Sequence, residues 1–423
     1  MSFRIEHLHL EGFRNYEDAS LDLDRDLTIL LGRNAVGKTS VIEAIQLLCE
    51  GVSFRHCPYP EMIGHQHEQA MLEMEARHLK GEPSRIRQVR ALIEPHTKTY
   101  TVNGKQTSVR EGIAGVIPVV VFTPDNLRLI KDAASRRRDE VDALGKQLSN
   151  TYARLVREYT KTLKGRNRLL TDGYFTDPAF DAWTEQLSLV GAALFRHRAR
   201  LLERLTELAR AQYHAIDATC VLRVTYENNW GALPQMGSDQ LADRLHNALD
   251  EHLISDTQRK TTTIGPHRDE VVFTLDGHDA RAFASQGQQR TIALAWKLAG
   301  ADLIEELLGV PPILLLDDVM SELDEVRRRA LVQRIGSDNQ TVITTTNTHY
   351  FDDELLQRAR IIEIGQGQQQ KKAQNQTQER TPRQTPSENT PGENTPGEST
   401  PGESTTGSTE TGEVSPLAKD CDA

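Results

Sequence analysis

The pattern of apolar and polar residues predicts strands at the N-terminal end of the chain. Phe3, Ile5, Leu8 and Leu10 are interleaved with polar residues, which is typical of half-buried strands. Residues 27–31 form an uninterrupted apolar run, as in a strand that is buried on both faces. Apolar residues then recur at helical spacing from 41 to 48. The first 50 residues therefore predict strands, a turn and a helix, in that order.

Further strands are expected between residues 70 and 122. The segments from Ala70 to Val109 are strand-like, and the pair Asn103-Gly104 favours a tight hairpin turn between two of them. The stretch 116–122, which contains Pro118, predicts another buried strand.

The character of the chain changes after Pro124, and residues 125–255 are predicted to be mostly helical. Apolar residues from Leu144 to Leu163 step by three or four positions, and a second stripe runs from Leu187 to Leu208. The turn-forming segment 171–178 separates the stripes. We expect an antiparallel pair of helices whose stripes pack in the core.

From residue 261 the pattern returns to strands. Segments 271–275 and 281–283 are predicted to pair around a turn at Asp276-Gly277. A helix is expected from about 286 to 308, followed by strands at 312–317, 341–345 and 361–364. Residues 366–423 consist almost entirely of Gln, Thr, Pro, Glu, Asn, Ser and Gly, so they cannot bury enough apolar surface to offset the entropy of ordering. We expect this tail to be disordered.

Composition narrows the function classes. The 423 residues carry a formal net charge of −11, so any nucleic-acid binding has to come from local basic patches. Four scattered cysteines without a C-x-x-C pair suggest neither a disulfide framework nor a zinc site. The N-terminus has no apolar signal segment, and no apolar run is long enough to cross a membrane. We expect a soluble, cytoplasmic protein with no membrane partner.

The turn after the 27–31 strand carries the first chemical motif, G-x-x-x-x-G-K-[ST]. In such a loop, glycines let backbone N–H groups point at phosphate oxygens, Lys38 reaches the β- and γ-phosphates, and the hydroxyl of Thr39 binds Mg²⁺. The alternative is an ordinary strand–turn–helix with chance glycines. The predicted ATP-binding residues, which we call the phosphate loop, are Gly32, Arg33, Asn34, Ala35, Val36, Gly37, Lys38, Thr39 and Ser40.

A nucleotide site of this kind also needs a carboxylate for the metal. Asp317 ends the apolar run 313–316, which is the Walker B arrangement and predicts the second Mg²⁺ ligand. Asp318 follows, where ATPases of the ABC class place the glutamate that orients the attacking water, so we assign it and Lys38 to catalysis. The alternative is a structural role for both acids. Ser321 and Asp324 lie in the segment that corresponds to the D-loop, which in that class crosses to the partner subunit.

A third segment resembles the signature motif of the ABC class. Ser285, Gln286, Gly287 and Gln288 precede the predicted helix, and Ser285 occupies the position of an N-cap. In that class the signature grips the γ-phosphate of ATP bound to the other protomer. Taken alone, the segment could be a polar start of a helix.

Six stretches together resemble the RecF family of bacterial recombination proteins, over about residues 1–365. They are GFRNY (12–16), GVSFR (51–55), FTPDNLRLIK (122–131), TIGPHRDE (263–270), FASQGQQRTIALAWKLA (283–299) and PPILLLDDVMSELDEVRRR (311–329). The resemblance implies an α/β fold, an ABC-type ATPase head (P-loop NTPase) with a mostly helical second lobe, here followed by the disordered C-terminal tail. Lobe I would comprise 1–123 and 300–365, lobe II 124–299, and the tail 366–423.

The resemblance also implies how such a protein works. Two protomers would dimerise on binding ATP, with Ser285 and Gly287 of one capping the nucleotide of the other. The dimer would clamp double-stranded DNA at single-strand/double-strand junctions and cooperate with RecO and RecR in loading RecA at gaps. Because Asp318 is one methylene shorter than glutamate, we expect a weak, DNA-stimulated ATPase that acts as a switch. No switch histidine is assigned, since His349 comes three residues late, and no lobe-junction glutamine occupies 122–127.

The predicted helix pair is locally basic, with eleven bases against seven acids between 151 and 212. A solvated helix face explains most such runs, whereas a DNA phosphate-contact surface is the sharper hypothesis. We select Arg196, Arg198 and Arg200 as its candidate residues. Other ABC-class functions remain alternatives, namely a transporter-type subunit, a nuclease-linked ATPase, or a clamp that binds ATP without hydrolysing it.

Overall fold

A computed structural model of the chain describes residues 3–79, 86–107, 116–335 and 339–365. The predicted disordered tail, 366–423, lies outside the described residues. The strands are β1 Phe3–Phe13, β2 Tyr16–Asp22, β3 Leu27–Leu31, β4 Ala70–His78, β5 Ile86–Ile93, β6 Lys98–Val102, β7 Lys105–Thr107, β8 Val119–Phe122, β9 Leu222–Glu227, β10 Glu270–Leu275, β11 His278–Asp279, β12 Ile313–Asp317, β13 Thr341–Thr345 and β14 Arg360–Glu363.

The helices are α1 Lys38–Glu50, α2 Tyr59–Met62, α3 Ala134–Leu148, α4 Asn150–Asp172, α5 Pro178–Ile216, α6 Ser238–Glu251, α7 Leu253–Arg259, α8 Ala280–Phe283, α9 Gln286–Leu308, α10 Glu325–Arg334 and α11 Asp353–Arg358. Short 3₁₀ turns cover Pro124–Arg128 and Val319–Ser321. No helix in the described part of the chain has both the length and the apolar character that a membrane crossing requires.

A five-stranded parallel sheet in the order β14-β3-β13-β12-β8 positions the site. Because all its strands run the same way, their carboxyl ends meet at one edge. In this register Leu31 pairs with Thr345, and Thr344 pairs with Asp317. Strand β13 thus separates the strand that leads into the phosphate loop from the strand that ends in the acids.

Alternate residues of the parallel sheet belong to different hydrophobic cores, as expected for strands buried on both faces. Ile313 and Leu315 pack with α1 and with a six-stranded antiparallel sheet, β2-β1-β4-β5-β6-β7. Leu314 and Leu316 pack on the opposite face, with α9 and α5. A third core joins α4, α5 and α6. The central sheet is therefore covered by the antiparallel sheet with α1 on one side and by helices on the other.

Most of the predicted elements are confirmed. The expected helix at 286–308 matches α9, and the turns at Asn103-Gly104 and Asp276-Gly277 have the positive φ angles that tight hairpins require. The strand predicted at 281–283 is wrong: β11 has two residues only, and 280–283 form α8, which Asp279 caps by accepting a hydrogen bond from the Arg281 amide.

The helical region is more divided than the apolar stripes predict. The first stripe spans two helices, α3 and α4, because Ser149 takes an extended backbone conformation, and its side chain caps α4. Strand β9 was missed; it pairs with β10 in a three-stranded sheet whose other member is β11. The proposed lobe boundaries at 123 and 299 stay predictions.

Candidate nucleotide site

The phosphate loop joins the end of β3 to the start of α1. Gly37 has φ of 107°, which only glycine adopts without strain, and a Cβ there would lie 2.5 Å from Nδ2 of Asn15. The Lys38 ammonium is buried under the loop and donates to the backbone carbonyls of Gly32 (2.7 Å) and Arg33 (2.9 Å). Residues 33–35 are exposed at the outer side of the turn. The loop is thus curled around its own lysine, as the motif requires.

Two residues of the GFRNY stretch brace this loop from outside. Asn15 Nδ2 donates to the carbonyl of Val36 (3.1 Å), and the Tyr16 hydroxyl donates to the carbonyl of Gly37 (3.2 Å). In the sequence, this stretch has significance only through the family resemblance. The only local signal is that Asn15 and Tyr16 carry polar groups at the turn from β1 to β2. That signal does not indicate that they contact the phosphate loop.

The metal-binding side chains predicted from distant motifs lie in direct contact. Oδ1 of Asp317 accepts hydrogen bonds from the hydroxyl of Thr39 (2.9 Å) and from the hydroxyl of Thr344 (2.8 Å). The carboxyl is almost completely buried, and burial raises its pKa, whereas the two hydroxyls oppose the rise. Thr344, which carries no motif of its own in the sequence, is the β13 residue that lies between the two motifs.

Asp318 occupies an unusual backbone position at the end of β12. Its φ is 50°, in the left-handed region, and its amide donates to the Thr344 hydroxyl (2.9 Å). Its Oδ1 is buried and has no hydrogen-bond partner among the described residues. An orphaned buried acceptor is costly unless the site needs it. This oxygen is therefore available to a water or substrate group.

Burial and neighbouring opposite charges shift the pKa values of the site residues in opposite directions. Burial lowers the pKa of the Lys38 ammonium, and the charges of Asp318 and Asp317 partly restore it. Burial raises the pKa of Asp318, and Lys38 counteracts that rise. Arg55, from the GVSFR stretch, adds a positive charge that lowers the pKa of Asp317. The site thus combines one ammonium with two carboxylates that burial pushes towards the neutral form.

A buried carboxylate one helical turn beyond Thr39 ties the surrounding loops to α1. Glu43 is fully buried and accepts from Arg14 Nε (2.9 Å) and Nη2 (2.6 Å) and from the Ser53 hydroxyl (2.6 Å). Arg55 lies 3.4 Å from the same carboxylate. Glu43 therefore explains structurally why the GFRNY and GVSFR stretches accompany the phosphate loop.

The signature segment begins α9 with a reciprocal cap. Ser285 Oγ accepts from the amide of Gln288 (3.2 Å), and the Gln288 side chain accepts from the amide of Ser285 (2.9 Å). Ser285 and Gln286 are exposed. Within the part of the chain that the structure describes, no hydrogen bond or ion pair joins Ser285 to the phosphate loop or the two acids. The predicted N-cap is confirmed, and the signature stays apart from the site of its own chain.

The predicted D-loop connects the acids to α10. The Ser321 hydroxyl donates to the backbone carbonyl of Asp318 (2.8 Å), and Asp324 caps α10 by accepting from the amide of Arg327 (3.0 Å). His349, for which no role was assigned, is exposed after β13. No residue of the described 3₁₀ turn at 124–128 is a glutamine; Asn126 there accepts from Thr123 and donates to Glu140.

The structure corrects one of the three predicted DNA contacts. Arg198 is buried and forms a two-point ion pair with Asp142 (3.1 and 3.0 Å), and it also donates to the carbonyl of Pro266 (2.8 Å). A side chain committed in this way cannot reach a phosphate. Arg200 is exposed, and Arg196 is half-buried and donates to the Ser238 hydroxyl. Those two stay predictions.

Sequence comparisons with known proteins point to one family. Residues 4–372 match the model of the RecF/RecN/SMC N terminal domain. The chain is 36% identical over 370 residues to the DNA replication and repair protein RecF of Synechococcus sp. (strain JA-3-3Ab), covering 86% of this chain and 97% of that relative. It is 35% identical over 372 residues to the protein of the same name from Halalkalibacterium halodurans, covering 87% and 99%.

Solved structures give the same result for the fold. The structure of the recombination mediator protein RecF-ATPrS in the RecFOR pathway superposes with a TM-score of 0.77 at 29% identity, over 83% of this chain and 94% of that one. The corresponding RecF-ATP structure gives a TM-score of 0.76 with the same coverage. Since the family model matches residues 4–372 and two RecF proteins are 36% and 35% identical over 86% and 87% of this chain, the chain, with its α/β ATPase-head fold, belongs to the RecF family.

Proposed function

We propose that this chain is an ATP-dependent DNA-binding protein of recombinational repair and replication. The observation that carries the proposal is the contact between Thr39 and Asp317, which joins the two nucleotide motifs at the carboxyl edge of the parallel sheet. The relatives are named DNA replication and repair proteins, and the similar solved structures contain ATP or ATPrS. A site of this design on this fold supports the proposal that nucleotide binding regulates DNA binding.

The residues fit ATP and Mg²⁺. The amides of the phosphate loop and the start of α1 suit phosphate oxygens, and Lys38 supplies a positive charge beneath them. Mg²⁺ is usually held by one or two carboxylates together with substrate phosphates, which a hydroxyl and a carboxylate from Thr39 and Asp317 match. When bound, the metal neutralises phosphate charge. The unpartnered Oδ1 of Asp318 is suited to orient a water molecule and to accept its proton.

The exposed signature argues for a site shared by two protomers. Among the described residues, no hydrogen bond or ion pair joins Ser285 or Gly287 to the nucleotide residues of their own chain, so we infer that they cap the ATP of a second copy. ATP binding would then drive dimerisation, and slow hydrolysis through Asp318 would release the partner. Nucleotide can shift such an equilibrium only by binding the dimer more tightly than the monomer, and a cap supplied by the partner provides that difference.

The dimer would act on double-stranded DNA near single-strand gaps. We propose that its ATP-bound form clamps duplex DNA at single-strand/double-strand junctions and, with RecO and RecR, promotes loading of RecA. The family relationship supports these partners, and the structure assigns no residues to them. Arg196 and Arg200 on α5 are the proposed phosphate contacts.

Replacement of Lys38 tests the nucleotide site. Lys38→Ala should weaken binding of a fluorescent ATP analogue by about 10- to 100-fold, because a charge-assisted hydrogen bond to phosphate is lost. Binding at wild-type affinity would rule out the assignment. Lys131→Ala, an exposed lysine outside the site, is the control and should bind normally.

Phosphate release with and without double-stranded DNA separates a hydrolysing switch from a clamp that only binds. We expect slow release from the wild-type protein, accelerated by duplex DNA and abolished in Lys38→Ala. No release above the Lys38→Ala background, with or without DNA, would favour the pure clamp.

A further inference from the structure

Two arginines link the signature helix α9 to the D-loop region of the same chain, one from each side. Arg290 lies on α9, one turn after Gly287. Its guanidinium donates to the backbone carbonyl of Glu322 (2.6 Å) and to the carboxylate of the same residue (3.0 Å). Glu322 lies between the predicted D-loop residues Ser321 and Asp324. Arg290 thus grips the D-loop by main chain and side chain together.

Arg327 makes the reciprocal connection from α10 to α9. Its Nε donates to the hydroxyl of Thr291 (2.7 Å), which in turn donates to the carbonyl of Gly287 (3.1 Å). Another nitrogen of the same guanidinium pairs with the D-loop carboxylate of Asp324. The Arg327 side chain is only 15% exposed, so solvent screens its bond to Thr291 little, whereas the Asp324 carboxylate is 52% exposed and its ion pair is screened more. One guanidinium therefore holds the signature turn and the D-loop at once.

The glycine of the signature has a role in this link. A Cβ on Gly287 would lie 3.1 Å from Nη2 of Arg327, which is tighter than ordinary van der Waals contact. The absence of a side chain lets the guanidinium close on the first turn of α9. Gly287 thus serves the intrachain contact in addition to the phosphate contact expected of it.

The two linked segments serve different nucleotides in the proposed dimer. The D-loop follows Asp318 and is hydrogen-bonded to it through Ser321, so it is anchored at the site of its own protomer. The signature faces the nucleotide of the partner. We propose that Arg290 and Arg327 are positioning residues that make these two segments move as one body, so that occupancy of one ATP site is felt at the other. This inference rests on the proposed ATP-dependent dimer.

The test is the dependence of dimer formation on ATP concentration, measured by light scattering. For wild-type protein we expect a Hill coefficient approaching about 2, the number of sites. Arg327→Gln should lower it towards about 1 and raise the ATP concentration at half-maximal dimerisation by about tenfold. Affinity of the monomer for a fluorescent ATP analogue should stay within about twofold of wild type, since Arg327 does not touch the phosphate loop.

Arg329→Gln is the matched control. Arg329 lies on the same helix, is largely exposed and pairs with Glu325 one turn away. It should behave as wild type. An unchanged Hill coefficient in Arg327→Gln would overturn the inference while leaving the proposed function intact. If wild-type protein does not dimerise with ATP, the proposed function fails, and the inference falls with it.

If Arg327→Gln proves unstable, exchanging the charges of the Arg290–Glu322 pair tests the same coupling. Arg290→Glu and Glu322→Arg should each reduce cooperativity, whereas the double variant restores the ion pair and should recover at least half of the lost Hill coefficient. Equal melting temperatures among these variants would show that the changes concern coupling and not folding. Absence of recovery in a folded double variant would overturn the inference.

Discussion

At the scale of single residues, Thr344 shows how strongly the site depends on one hydroxyl. It donates to Asp317 and accepts from the amide of Asp318. Thr344→Val keeps the shape and removes both bonds, so we expect a loss of about 1 to 3 kcal/mol in the free energy of unfolding and weaker Mg²⁺-dependent ATP binding. Denaturant unfolding and nucleotide titration measure the two effects.

Thr341 provides the control on the same strand. It is fully buried, and its Oγ1 has no hydrogen-bond partner among the described residues. Thr341→Val should be neutral or stabilising, because it replaces an unsatisfied buried hydroxyl with a methyl group. Equal destabilisation in the two variants would mean that the hydroxyl of Thr344 contributes nothing particular.

Glu50, at the end of α1, predicts a pH dependence of stability. Its carboxylate accepts from the amides of Gln46 and Gln147 (both 2.6 Å), and burial raises its pKa from 4.5 to about 7. Within that interval the folded protein binds more protons than the unfolded one, so the contribution of Glu50 to stability falls as pH rises. As pH rises from 5 to 8, the melting temperature of Glu50→Gln should therefore increase by a few °C relative to that of the wild-type protein. Exposed Glu68, changed to Gln, should give no such trend.

At the scale of elements, α5 carries both a buried arginine that pairs within the protein and exposed arginines that could contact DNA. Arg198 pairs with Asp142 of α3 and helps to hold the helices together, whereas Arg200 faces solvent. Sequence periodicity places both on one helix but cannot tell which side meets a neighbour. The DNA hypothesis is consequently narrower than the sequence suggested, since it now concerns Arg196 and Arg200 alone.

The salt dependence of DNA binding tests this surface. Replacing Arg196 and Arg200 together by Gln should reduce the magnitude of the slope of log affinity against log salt concentration by about 1 to 2. Each phosphate contact that is lost means about one counterion fewer released when the protein binds DNA. Arg25→Gln, an exposed arginine before β3, should leave the slope unchanged. A wild-type slope in the double variant would move the DNA surface elsewhere.

At the scale of the whole molecule, Asp318→Asn should uncouple ATP binding from release. Asparagine tolerates the left-handed backbone at this position but cannot accept a proton from water. We expect a stable ATP-bound dimer with phosphate release reduced by about 10² or more, measured by light scattering together with a phosphate assay. A variant that stays monomeric with ATP and Mg²⁺ would contradict the shared-site arrangement.

Features set by neighbouring residues were predicted better than features set by packing between distant segments. Residues 286–308 were predicted correctly because Ser285 and Gly309 mark the two ends of α9 within the sequence itself. The break at Ser149 and the strand β9 were missed. Apolar spacing continues across a capped break, and β9 is short and half-exposed, so its pairing with β10 stabilises it more than its own pattern indicates.

The sequence by itself determined the phosphate loop, the signature cap and the run of strands and helices, because the atoms that form each of them come from neighbouring residues. Only the tertiary structure decided that Thr39 touches Asp317 across 278 residues, that Thr344 lies between them, and that Arg198 is internal. These facts follow from the order of strands in the parallel sheet and from which helix faces meet, and both depend on packing between segments far apart in the chain.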